Sequence, residues 1–146
     1  MKKKILFYAL NLTWGGIMNI IGGVVALVLY AAGKRPERHG LCWCFTVGKS
    51  WGGVSFGLVM LVCSRAGRHT HDHEHGHAIQ NAIYGPAHAV LSVCSAARYH
   101  WRNLQMRLDP LKPMPPYDSF WFEGQATEWG EKFVKTIENE RKEWQP

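Results

Sequence analysis

"HTHDHEHGHAIQNAIYGP", residues 69–86, carries five of the chain's eight histidines, each separated from the next by one residue. Read as an extended chain, the alternation places His69, His71, His73, His75 and His77 on one side, a strip suited to storing or sensing metal. Read as a helix, it splits them into two faces, His69, His73 and His77 on one and His71 and His75 on the other. The residues that follow favour the helix, because Ala78, Ile79, Ala82 and Ile83 return at helical spacing until Gly85 and Pro86 interrupt. Asp72 is the expected N-cap, which gives a helix over about 72–84 and leaves His69 outside it.

On that helix His73 and His77 lie a turn apart on one face, and Glu74 borders it. This HExxH spacing suits zinc: two imidazoles hold the ion, the ion lowers the pKa of its bound water to ~7, and the glutamate takes the proton as the water attacks a carbonyl. A hydrolytic zinc needs a third protein ligand. "WFEGQATEWG" (121–130) offers Glu123 among Phe120, Trp121, Phe122 and Trp129, where small residues let helices approach closely and a buried carboxylate requires a partner such as a metal. Gln80, one turn past His77, either orients a ligand or fills polar space between helices.

Upstream, Ile5 to Gly33 runs 29 residues without a charge, more than the ~20 that cross a bilayer as a helix. Residues 1–33 are therefore expected to be an N-terminal transmembrane anchor in an integral membrane protein. A signal peptide fits less well, because the apolar run is too long and no small-x-small cleavage site closes it. Lysines and arginines flank both ends, so orientation is left open. The net charge of +6 suits a chain lying on anionic lipid. Nucleic acid is excluded as the partner, since the basic residues form no recognised binding motif.

Residues 34–146 form the remaining unit. "CWCFTV" and "VSFGLVMLVC", on either side of "GKSWGG", read as a β-hairpin over about 42–63. A membrane-proximal helix is expected over about 87–104, then the proline-rich loop "RLDPLKPMPPYD", then a C-terminal helix over about 119–143. Cys42, Cys44, Cys63 and Cys94 sit among apolar neighbours and read as small hydrophobes rather than zinc ligands. The expected fold is thus mainly α with a small β-hairpin, an N-terminal transmembrane helix leading into a minimal helical metal-binding domain.

"HEHGH", "AIQNAIYGP" and "FEGQAT" together resemble the HExxH-plus-distant-Glu pattern of the gluzincin metallopeptidases. The order of an N-terminal apolar helix, "SWGGVSFGL", HExGHxxQ followed by Gly-Pro, and a late aromatic-Glu segment is similar to a group of small bacterial membrane proteins. The resemblance implies a zincin-like domain with His73, His77 and Glu123 as zinc ligands and Glu74 as base, hydrolysing a peptide or protein substrate. It also implies that a strand just before the active helix, here the one ending near Cys63, holds substrate as an added strand. Gluzincins often carry an acid four residues after the ligand glutamate; Thr127 stands there, leaving Glu128 or Asp118 to steady a histidine. Tyr117, Tyr99 and His100 are candidates to stabilise the transition state. The alternative is a membrane-bound metal-buffering or metal-sensing protein without catalysis.

Overall fold

The computed structural model describes residues 2–143. Five helices and a four-stranded sheet make up the described chain: α1 (Lys2–Leu12), α2 (Gly16–Ala31), β1 (Glu37–His39), β2 (Cys42–Thr46), β3 (Gly53–Phe56), β4 (Val59–Val62), α3 (Arg68–Tyr84), α4 (Pro86–Leu108) and α5 (Trp121–Glu143). The mainly helical character holds, but the expected fold is corrected in both of its other parts.

The N-terminal apolar run is not one transmembrane helix. It breaks at residues 13–15, and α1 and α2 are bent by 84°; no single helix among the described residues is long and apolar enough to cross a membrane. The break is built by three asparagines. Asn81, on α3, donates from Nδ2 to Asn11 Oδ1 (2.8 Å) and to the Gly15 carbonyl (3.0 Å). Asn11 donates to the Ala78 carbonyl (3.2 Å), and Asn19 donates to the Asn11 carbonyl (2.9 Å) while accepting the Leu58 N–H (2.8 Å). Gly15 is required here, since a Cβ would lie 2.3 Å from Asn81 Nδ2. The corner is thus fastened to α3 by polar groups that hydropathy counts as mere interruptions.

The expected hairpin over 42–63 is also corrected. Its two presumed strands, β2 and β4, pair in parallel from Trp43↔Val59 to Thr46↔Val62, and "GKSWGG" is part of the crossover between them. Two other hairpins complete a mixed sheet in the order β1-β2-β4-β3. One turns at Gly40 (φ +57°) and the other at Gly57 (φ +66°), inside the run taken for a single strand. Burial explains the arrangement: β2 and β4 occupy the centre and carry Cys42, Cys44, Phe45, Met60 and Val62 into the interior, which an exposed two-stranded hairpin could not do.

α3 begins a turn earlier than expected, at Arg68, following Gly67. Asp72 is therefore not its cap. It is buried within the helix and accepts hydrogen bonds from His39 Nε2 (2.7 Å) and Arg68 Nε (3.3 Å). Gly85 (φ +55°) and Pro86 end α3 and start α4, which runs a turn past its expected end. A 3-10 turn, Tyr117–Ser119, precedes α5.

Phe7 from α1, Leu41, Cys42 and Met60 from the sheet region, Ala78 and Ala82 from α3 and Ile137 from α5 share one core. α3 lies against α5 with almost no separation: a Cβ on Gly76 would fall 1.8 Å from the Ala126 carbonyl oxygen, and one on Gly130 1.8 Å from that of Asp72. Only glycine permits this contact, and the contact sets the depth at which α5 presents its side chains to α3.

Candidate metal centre

The close packing of α3 on α5 brings His73, His77 and Glu123 together, with one donor atom from each lying within 4.8 Å of the others. His73 Nε2 is 3.1 Å and His77 Nε2 3.4 Å from Glu123 Oε2. That oxygen is buried and has no hydrogen-bond partner in good geometry.

The outer partners orient the rings. Gln80 uses its amide N–H groups on the Phe122 carbonyl (2.7 Å) and on Gln125 Oε1 (3.1 Å), so its oxygen faces His77 Nδ1 at 2.8 Å. His77 must therefore donate from Nδ1, which directs its Nε2 at the carboxylate, as a lone pair in the neutral ring and as an N–H donor in the protonated one. His73 Nδ1 is 2.8 Å from Thr127 Oγ1, the residue four beyond Glu123. Glu123 Oε1 accepts a short hydrogen bond from the buried Ser95 hydroxyl, which turns Oε2 toward the histidines. Burial by itself raises the Glu123 carboxyl, but the two imidazoles and Ser95 outweigh it and hold the group below the ordinary carboxylate range. Glu123 Oε2 and the two Nε2 atoms thus converge in a dry site, an arrangement that calls for a cation between them, either a proton carried by a ring or a metal ion. The donor set fits a metal ion.

No family model, curated protein or solved structure matches the chain. The chemistry of the site rests on its own geometry.

These groups line one cleft of about 560 Å³, between the β3 edge (Gly53, Ser55) with Trp51 just before it and α4 with the turn after it (Ser95, Tyr99, Tyr117). Glu74 is 5 % exposed and lines the same cleft. Its Oε2 has no partner, and burial pushes its carboxyl up to about 8, with His73 lowering it and Glu123 raising it by smaller amounts. Gly53 makes room for this side chain, since a Cβ there would sit 2.6 Å from Glu74 Oε1.

The other expected site residues are dispersed. Tyr117 lines the cleft with its hydroxyl 3.5 Å from Ser95 Oγ, and Tyr99 and His100 line the α4 side. Asp118 is exposed at the rim and Glu128 pairs with Lys132 on the surface (2.6 Å); Thr127 contacts His73 in their stead. His69 is within α3 but exposed and paired with Glu131 (3.0 Å). The remaining tract histidines have separate duties. His71 donates to the Gly67 carbonyl (2.9 Å). His75 is fully buried between the Phe7 and Phe133 rings, its Nε2 accepts the Leu41 N–H (3.1 Å), and burial lowers its pKa to about 3.

Ser95 and His88 are site neighbours that the sequence reading missed. His88 packs on His77 and Phe122 with ring centroids 6.0 and 5.5 Å away, and burial keeps it neutral by lowering its pKa to about 3. Neither lies near a motif. Thr127 did have a signal, its helical register with Glu123.

Proposed function

We propose that the chain is a zinc-dependent peptide hydrolase of the gluzincin kind. The observation that carries this reading is the unpartnered Glu123 Oε2 facing the Nε2 atoms of His73 and His77, with each ring's Nδ1 held from behind. A set of two histidines and one glutamate, with the side toward the cleft left open, is a donor set of catalytic zinc. Bound there, zinc supplies Lewis acidity and activates water near neutral pH.

Glu74 is the residue placed to accept the water proton and return it to the leaving amine, because it borders the ligand face and lies in the same cleft. The substrate is an extended peptide. β3 supports this as the edge strand along the cleft, with one side of its backbone free to pair. The strand ending near Cys63, expected to take that part, is β4; it lies between β2 and β3 and has no free edge. The storage reading loses support because His69, His71 and His75 each have a partner of their own.

Metal analysis of the purified protein tests the proposal. One tightly held zinc per chain is expected, lost in His73→Ala, His77→Ala and Glu123→Ala and kept in His69→Ala and His71→Ala. Glu74→Gln should keep the zinc and abolish cleavage of a fluorogenic peptide library. Several weak ions per chain, lost in equal measure from all the histidine variants, would restore the storage reading.

A further inference from the structure

Three helices leave an apolar face uncovered. On α2 the strip is Ile17, Ile20, Val24, Leu27 and Val28, with Leu27 72 % exposed. On α4 it is Val90, Val93, Trp101, Leu104 and Leu108, with Val93 69 % exposed. The opposite side of α4 (Ser92, Ser95, Tyr99) lines the metal cleft, so this helix separates the cleft from whatever covers its outer strip. α2 packs on α4, which makes the two strips neighbours, and α1 adds Ile5, Leu6 and Leu12. An apolar surface of this extent marks an interaction site.

Charge identifies the occupant. α1, α2 and α4 contain no aspartate or glutamate, whereas six of the chain's eleven acidic residues lie on α5. The charges on these helices are all positive, among them Lys3, Lys4, Arg98, Arg102 and Arg107. Lys34 and Arg35 follow α2, Asp109 at the C-terminal end of α4 is the acidic exception beside them, and Lys4 pairs with Glu140 of α5 (3.2 Å). Exposed Trp14, Tyr30 and Trp101 stand among them, and the Arg35 guanidinium lies over the Tyr30 ring at 4.0 Å. Apolar strips edged by aromatic and cationic side chains match the interface of an anionic bilayer.

Geometry decides how the chain meets it. The 16 residues of α2 reach about 24 Å, short of the ~30 Å hydrocarbon core, and α1 turns away by 84°. Straightening the pair would undo the Asn11–Asn81–Asn19 fastening and draw buried Phe7 and Met18 out of the protein. The geometry points to a protein seated in one leaflet of an anionic bilayer by the outer faces of α1, α2 and α4, with both ends of the α1–α2 pair on the same side. This inference is independent of the hydrolase reading.

Two measurements test it. A chain carrying Lys3→Cys and Lys34→Cys in a Cys94→Ser background, where the remaining thiols are buried, is reconstituted into vesicles of phosphatidylcholine and phosphatidylglycerol and treated with a membrane-impermeant maleimide. One-leaflet seating gives molecules with two labels or none by mass spectrometry, whichever way each inserts. A population labelled once, at one end only, means a crossing and overturns the proposal. In flotation, the wild type should rise with these vesicles and bind phosphatidylcholine alone less well, and Val93→Glu with Leu104→Glu should lower the floated fraction roughly tenfold. Equal flotation of that variant, or a wild type that stays in the aqueous fraction as a dimer covering these faces with its own copy, also overturns it.

Discussion

Glu74 occupies a place that opposes its ionisation. In the unfolded chain its carboxyl titrates near 4.5, while in the metal-free fold burial raises it to about 8. Between those values the folded chain retains a proton that the unfolded chain has released, so stability falls as pH rises through the window. Glu74→Gln removes this dependence. Denaturant unfolding of metal-free protein at pH 8 should find the variant more stable than the wild type by roughly 2 to 4 kcal/mol, with the difference closing near pH 4; parallel profiles would mean that Glu74 is ionised and partnered in the fold. Thr127 acts by another route. Thr127→Val deletes the group beside His73 Nδ1 without adding bulk, and zinc affinity measured by chelator competition should fall ~10- to 100-fold with the fold intact. An unchanged affinity would show that packing alone orients the ring. Of the residues at the centre, His73, Glu74 and His77 were legible because their relation is a helical period within five residues. Ser95 was not, because nothing local marks a buried serine that meets a carboxylate 28 residues away.

The contact between α3 and α5 is where element geometry becomes site chemistry. Glu123 reaches the histidines because Gly76 and Gly130 let the two backbones touch. Gly130→Ala should therefore both destabilise the protein, by about 3 kcal/mol or more, and strip the metal, since the helices must part to admit the methyl group. Gly67→Ala, a position with nothing within 4 Å of the added Cβ, is the control and should leave the metal in place and the melting temperature little changed. Calorimetry with metal analysis reads both; a Gly130→Ala protein that melts like the wild type with its zinc in place would remove the packing argument. The sheet shows the opposite case, in which local signals misled. Aromatic and β-branched content on either side of a glycine-containing turn located β2 and β4, yet their pairing direction depended on Gly57 dividing the second run and on the room for two strands at the centre.

At the scale of the molecule, the N-terminal helices belong to the same core as the sheet, α3 and α5, unlike a detachable anchor. Phe7 is 5 % exposed among core residues from the sheet, α3 and α5, and stacks on His75 at 5.7 Å. Deleting residues 1–33 should accordingly yield a chain that fails to give a cooperative unfolding transition or bind zinc, whereas removal of a simple anchor would leave a folded, zinc-binding remainder. Circular dichroism melts and metal analysis of the truncated chain distinguish the two. A gentler version, Asn81→Ala, should cost about 1 to 3 kcal/mol by removing the Asn81 amide from the corner, which leaves the Gly15 carbonyl and Asn11 Oδ1 only the longer bonds from Asn19 (3.1 and 3.5 Å).

The sequence by itself determined what depends on near neighbours: the helix through the histidine tract, the shared face of His73 and His77, the glycine and proline that end α3, and an unusually apolar N-terminus. Glu123 was legible only as a carboxylate in aromatic surroundings that needed a partner. Tertiary structure decided the rest: which histidines face the metal site and which fill the core, the parallel pairing of β2 with β4, and the bend that turns one apolar run into two short helices. The reason is physical. Helical periodicity and turn geometry act over a few residues, whereas a buried polar group takes whatever partner the packed chain brings to it, as Asn11 takes Asn81 across 70 residues.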